Sequence, residues 1–295
     1  MNLNEPAASQ FAVYGPTFLD VVMGPLDGPP IPGREAWVEG ALMCAGGAAN
    51  QAIALARLGT PVRLHSRVGV DQMGVFVDEM LAREGVDTSA CERVGDQNVT
   101  VSLSFDGDRA MTTRGTTALP RLGGDAPGCL LADVRGISAN SEVVSSWRER
   151  GTWVLADTAW DEAGAWDKAD LEALRLADVC TPNEEEALAY ARTDSVEEAA
   201  RWFASFGCDC VVTCGKNGVI ACVDGQILRV PAPDVNAVDT TGAGDVFSAA
   251  LAWALRARRV SWPEALALAC AAAAHSTQGI GGSTSAPYAA DLAGA

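Results

Sequence analysis

The run Asp239-Thr-Thr-Gly-Ala-Gly-Asp245 combines residues able to hold an anion with one able to take a proton. It leads directly into Val-Phe-Ser-Ala-Ala-Leu-Ala, an apolar stretch with helical character. In the first turn of a helix the backbone N–H groups have no intrahelical partner, and the aligned peptide dipoles add partial positive charge. Gly242 and Gly244 carry no Cβ, so a bulky anion can come close to those N–H groups. Asp245 sets a carboxylate beside the same place. That pairing suits removal of a proton from a hydroxyl that attacks a phosphoryl group. In isolation the same aspartate also suits simple capping, because a first-turn acid complements the helix dipole.

Composition narrows the field. The chain has 295 residues, is 48% hydrophobic and carries a net charge of −17. That length can build one large α/β domain, with or without a small appendage. Nucleic acid is a poor partner for so acidic a chain, since phosphate contacts need clustered Lys and Arg. The start Met-Asn-Leu-Asn-Glu-Pro lacks the basic and apolar regions of a signal peptide, and no apolar run reaches transmembrane length. A cytoplasmic protein with no membrane partner is expected. Nine scattered cysteines fit reduced thiols better than a disulfide framework. Cys208-x-Cys210-x-x-x-Cys214 reads as a buried strand rather than half of a metal site. His65 and His275 are the only histidines, which leaves triad hydrolysis and His-based metal catalysis few residues to use. Neither a G-x-G-x-x-G after the first strand nor a P-loop is present.

The elements that must position these residues alternate between strand-like and helical runs, the pattern of a parallel sheet covered on both faces. Strands are expected at 11–15, 62–66, 151–157, 177–182, 210–214, 219–223 and 226–230. Helices are expected at 48–58, 73–84, 184–191, 195–206, 243–256 and 262–276. Ser195 and Glu198 are expected to form a capping box. Two stretches depart from the alternation. Residues 17–44 are rich in proline, and residues 98–114 read as a β-hairpin turning at 106–108. Both suit a small sheet over a cleft. In open parallel sheets ligands sit beyond the carboxyl ends of the strands, which singles out Asp20, Asn50, Asn183, Gly215, Lys216 and Asp245.

At these residues the chain resembles the ribokinase-like (PfkB-type) carbohydrate kinases. One matching signature is Gly46-Gly-Ala-Ala-Asn50-Gln-Ala52, with Gly59 and Gly69 following; the other is Asp239 to Asp245 with its apolar helix. Between them, Asn183-Glu-Glu-Glu186 looks like the family's Asn-x-x-Glu element, and Thr213-Cys-Gly215-Lys-Asn-Gly218 like its nucleotide loop. The match spans roughly residues 11–285. It implies a single ribokinase-like domain over residues 1–295: a Rossmann-like three-layer α/β/α unit with a mostly parallel sheet, plus a β-sheet lid from about 17–44 and 98–114. It implies transfer of the γ-phosphate of ATP to an alcohol. Asp245 would be the general base, and the N–H groups of Gly242, Ala243 and Gly244 an anion hole. Asp20, Asn50 and the Gly46-Gly47 backbone would bind the acceptor's hydroxyls. Thr213, Gly215, Lys216 and Gly218 would line the nucleotide, with Asn183 beside it. Asn183 and Glu186 would hold Mg²⁺ largely through water. Asp239, Thr241, Ser276, Gly281 and Ser285 match the neighbourhood of a K⁺ site.

Gly47 stands where ribokinases proper carry lysine, so the resemblance does not extend to ribose as acceptor. Arg109 and Arg114 could reach a phosphate or carboxylate on the acceptor, or flank the hairpin as exposed charges. The leading reading is an ATP-dependent, Mg²⁺-requiring sugar kinase. A nucleoside kinase and a phosphosugar kinase are the alternatives on the same fold, and an inactive sugar-binding protein is the alternative from another class. Pairing of exposed lid edges into a homodimer is a further expectation.

Overall fold

The computed structural model describes residues 7–105, 108–158, 161 and 163–293. The chain opens with β1 (Ala7–Tyr14), β2 (Thr17–Leu26), β3 (Gly40–Gly47) and α1 (Ala48–Arg57). Next come β4 (Val62–His65), β5 (Arg67–Val68), α2 (Gln72–Arg83), β6 (Glu92–Arg93), β7 (Asn98–Phe105) and β8 (Asp108–Arg114). The middle holds β9 (Pro127–Asp133), α3 (Val134–Ala139), α4 (Ser141–Glu149), β10 (Trp153–Asp157), a 3₁₀ helix (Lys168–Leu176) and β11 (Val179–Cys180). Last are α5 (Glu184–Ala191), α6 (Val196–Ala204), β12 (Asp209–Thr213), β13 (Val219–Val223), β14 (Gln226–Val230), α7 (Ala243–Ala252) and α8 (Trp262–Ser276).

Eight strands form the main sheet in the order β14-β13-β12-β11-β10-β9-β1-β4. It is parallel from β12 to β4, with β13 and β14 as an antiparallel edge. Side chains alternate between two faces. Phe11, Val13, Leu131 and Leu155 pack on one side with α1, α2, α7 and α8. Ala12, Tyr14, Leu130 and Val154 pack on the other with α3 to α6. Both faces are dry, which is why the strands read as continuous apolar runs. These are the three layers of an α/β/α unit. Among the described residues no helix is long and apolar enough to cross a membrane.

A second sheet, ordered β3-β2-β7-β8, is built from the two stretches that broke the alternation. At its centre Asp20 pairs with Cys44 on one side and Thr100 on the other. β3 passes into α1 at Gly47, whose φ is +63°. A Cβ there would stand 2.7 Å from the Phe18 ring, so glycine lets the lid strand and the helix carrying Asn50 join without a loop.

Several local expectations differ from the fold. Residues 115–150 carried no assignment, yet they supply β9, between β1 and β10 in the sheet. Its Cys-Leu-Leu-Ala core is too short for periodicity to tell strand from helix. The helix expected to reach Arg256 is α-helical only to Ala252 and widens into a π turn over Trp253–Arg258. Ser195 accepts the N–H of Glu198 at 3.4 Å, but the Glu198 carboxylate takes the Thr193 hydroxyl instead, so the box closes on one side only. Residues 106 and 107 of the hairpin turn lie outside the described residues. Cys208, Cys210 and Cys214 are buried in the core. His65 is buried edge-on to Trp147, and burial pushes its imidazole down to about 4.

Candidate active site

Gly242 precedes α7 with φ +69°, and no side chain caps the helix. Asp245 lies in the first turn but caps nothing. Its Oδ2 accepts Asn50 Nδ2 at 3.0 Å and its Oδ1 accepts Gln51 Nε2 at 3.2 Å. Asn50 is almost fully buried, and its Oδ1 accepts the Ser283 N–H at 3.0 Å. That bond turns the amide nitrogen toward Asp245. The loop carrying Ser283 is held in turn by Arg57, which is bidentate to Glu84 and donates to the carbonyls of Thr284 and Ala286 at 3.0 and 2.9 Å. Both carboxylate oxygens are thus engaged by α1, and as a first-turn acid Asp245 complements the helix dipole as well.

Two carboxylates, Asp20 and Asp245, lie close enough to interact. Burial pushes Asp245 up to about 6, against the pull of the Asn50 and Gln51 donors. Asp20 is also raised to about 6, by burial first and by the charge of Asp245 in addition, with a Thr100 hydrogen bond opposing. The Asp20 carboxylate lies over Gly46, in space a Cβ would fill. The residues expected to bind an acceptor, Asp20, Gly46, Gly47 and Asn50, thus lie together with Asp245.

On the other side of Asp245, Asn183 and Glu186 form a reciprocal capping box at the start of α5. Asn183 Oδ1 accepts the Glu186 N–H at 2.9 Å, while Glu186 Oε2 accepts the Asn183 N–H at 3.1 Å and the Thr158 hydroxyl at 2.7 Å. Burial raises the Glu186 carboxyl. Asp157, ending β10, is raised well above the usual range by burial and by the charges of Glu186 and Asp245. The Thr181 and Ser248 hydroxyls, 3.0 Å apart, tie the end of β11 to α7 one turn beyond Asp245. Among the described residues no Lys or Arg forms an ion pair with Asp20, Asp157, Glu186 or Asp245. Among the described residues no group of three or more His, Cys, Asp or Glu lies close enough to hold a metal ion directly.

The nucleotide-loop residues follow one strand over. Thr213 bridges to Asn183, and its N–H donates to Pro182 at 3.0 Å. Gly215, exposed Lys216 and Asn217 form a 3₁₀ turn closed by Cys214 N–H to the Gly218 carbonyl at 2.8 Å. Gly218 has φ +87° and lies against the 230–232 backbone, where no Cβ fits.

The five residues matched to a K⁺ neighbourhood lie around two crossing loops. Asp239 Oδ1 accepts the Thr241 N–H and hydroxyl at 2.9 and 2.7 Å, and its Oδ2 accepts the Gly281 N–H at 2.8 Å. Its own N–H donates to the Thr277 carbonyl, next to Ser276. Ser285 lies tight against Gly279. Ser276 donates to the Ala273 carbonyl. Arg114 is ion-paired with Asp96 at the surface. Arg109 lies in β8, with its side chain outside the described part.

Gln51, Asp157, Thr158 and Ser283 were given no role from the sequence. A polar residue directly after Asn50 in an alanine-rich helix and an acid at a strand's carboxyl end were the available signals. Ser283 acts through its backbone, so its side-chain type carries no signal.

Comparison with known proteins gives the family of the chain. The family model for pfkB family carbohydrate kinases matches residues 39–117 and 137–289. A fructokinase of Klebsiella pneumoniae is 35% identical over 284 residues, covering 85% of this chain and 91% of that one. A ribokinase of Haemophilus influenzae is 30% identical over 261 residues, covering 82% and 83%. Among solved structures, Arabidopsis thaliana ribokinase complexed with ribose and ATP superposes with a TM-score of 0.80 at 25% identity, covering 98% of each chain. The family match over most of the chain, the relatives at 30% identity or more and the shared fold make this protein a member of the pfkB family of carbohydrate kinases.

Proposed function

We propose that this kinase moves the γ-phosphate of ATP to a hydroxyl of a free, uncharged sugar, with Asp245 as the general base. The observation that carries the reading is the Asp245 carboxylate, turned away from capping and held by Asn50 and Gln51 at a helix start that no side chain caps. Asp20, Asn50 and the Gly46-Gly47 backbone bind the acceptor's hydroxyls. Asp245 takes the proton from the attacking oxygen, and the N–H groups of Gly242, Ala243 and Gly244 stabilise the charge on the transferring group. Thr213, Gly215, Lys216 and Gly218 line the nucleotide. Asn183 and Glu186 are the residues that would hold Mg²⁺, mainly through water, and Asp157 faces the same charge. The ion supplies charge neutralisation on the phosphates. Asp239, Thr241, Ser276, Gly281 and Ser285 are the K⁺ neighbourhood. Exposed Met43, Val101 and Met111 on the lid strands support pairing of two lids.

An uncharged acceptor is favoured over a phosphosugar because Asp20 and Asp245 dominate the acceptor side, while Arg114 is held by Asp96. The relatives named fructokinase and ribokinase support a free sugar. A panel of free sugars led by fructose and ribose, sugar phosphates and nucleosides, scored by ADP release, tests the reading. A free sugar should exceed the other classes in kcat/KM by about 100-fold or more. A sugar phosphate or nucleoside at the head of the panel would overturn it.

Glu186→Gln keeps the size of the side chain and the Thr158 contact but removes its charge. The Mg²⁺ concentration for half-maximal activity should rise about 10-fold, the scale seen when groups around a metal are changed. An unchanged Mg²⁺ titration would confine Glu186 to capping α5.

A further inference from the structure

Helix α1 is the sequence Ala-Ala-Asn-Gln-Ala-Ile-Ala-Leu-Ala-Arg, and residues 49–55 are all buried. Gln51 is 7% exposed in that apolar surrounding. A primary amide in such a place is costly unless hydrogen-bonded. Its Nε2 donates to Asp245 Oδ1, while the neighbouring Asn50 donates to Oδ2. Successive residues on a helix point about 100° apart, so one carboxylate is bracketed by a short amide arm and a longer one. A donor on each oxygen fixes the carboxylate plane as well as its position. Asn50 is already oriented by the Ser283 N–H, and Gln51 beside it is likewise buried.

Building on the assignment of Asp245 as base, we propose that Gln51 is a positioning residue for the phosphoryl-transfer reaction: from its buried place on α1 it fixes the Asp245 carboxylate plane and favours its ionised form. Burial works against that form, and the two amide donors work for it. The charged groups bearing on Asp245 otherwise oppose it. Asp20 of β2 and Asp157 of β10 repel it. β9 carries Cys129 and Asp133, α8 carries Glu264, Cys270 and His275, the π turn after α7 carries Arg256 and Arg258, and Arg57, at the far end of α1, is held by Glu84. Loss of the Gln51 donor removes one of two interactions that keep the base ready at neutral pH.

The test is the pH profile of kcat/KM for Gln51→Met and Gln51→Glu, beside wild type and Asp245→Asn. Methionine matches glutamine in length and suits a buried helix, and glutamate keeps the shape but places a like charge next to Asp245. In Gln51→Met the acid limb should move up by about one pH unit, the scale of one charge-assisted hydrogen bond. The plateau kcat should fall no more than about 10-fold, with KM for ATP unchanged. Gln51→Glu should move the limb further in the same direction. A soluble Gln51→Met with wild-type melting behaviour and an unmoved limb overturns the proposal. Persistence of the limb in residual Asp245→Asn activity would instead overturn Asp245 as the base, which separates the two failures. Should Gln51→Met fail to fold, Gln51→Glu alone decides, by a limb that moves or stays.

Discussion

Asp245→Asn is expected to lower kcat by about 10³-fold, the scale of a removed general base, while ATP binding stays near wild type. The side chain keeps its volume in the site formed by Asn50 and Gln51 but can no longer accept a proton from the attacking hydroxyl. Steady-state kinetics and nucleotide titration separate the two quantities. An equal loss of both would mark Asp245 as structural. In the wild type, activity should fall as pH drops through about 6, where the raised carboxyl protonates. Stability carries the opposite signature. The carboxyl titrates near 6 when folded, above its ordinary value of 3.8, so the folded state binds the proton more tightly. Its contribution is favourable in acid and is lost as pH rises through about 6. A displacement of roughly two pH units corresponds to about 3 kcal/mol. Asp245→Asn should therefore gain stability over wild type at pH 8, and that gain should vanish below pH 4, as thermal unfolding can measure.

Gly242→Ala is expected to damage the site while leaving every charged group in place. Alanine at φ +69° is strained by about 1 kcal/mol. Its Cβ would also stand 2.7 Å from Gly282 Cα and 3.1 Å from the Asn50 amide nitrogen. The helix start and the tail loop would have to part, disturbing both the anion hole and the donor that orients the base. A fall in kcat of about 10²-fold or more is expected, as for loss of an oxyanion donor. Gly244→Ala is the internal comparison, because a Cβ there meets nothing within 4 Å. The two variants differ in the clash and the backbone strain. Equal damage from both would remove the close approach at Gly242 as the cause.

Much of the fold was legible because short continuous apolar runs alternate with longer helical ones, and because Gly59 and Gly85 stop helices with positive φ. β9 was not, because its apolar core is only a few residues long, too short to tell strand from helix even between the turn residues Pro127-Gly128 and Asp133. Within the site, Asp245, Asn50, Asn183 and Glu186 announced themselves by residue type at spaced motifs. Their actual hydrogen bonds did not. The Asn183/Glu186 box and the half-closed Ser195 box share the same polar-x-x-Glu pattern, and only the packing of Thr158 and Thr193 distinguishes them. Gln51 stayed silent because an amide on a buried helix face looks like an ordinary helix residue until its partner, 194 positions away, is brought to it.

The reach of these contacts along the chain governs when the enzyme comes into being. Asp245 takes its donors from residues 194 and 195 positions earlier, and Asn50 takes its orientation from Ser283, 233 positions later. During synthesis both sheets can assemble from strands that end at Val230, well before that last contact exists. A nascent chain paused after α8 would thus own its lid, its sheet and its aspartate, yet would lack the bond that aims Asn50 at it. The bond that orients Asn50 is thus among the last the chain can make, and a chain ending at Ser276 would lack it.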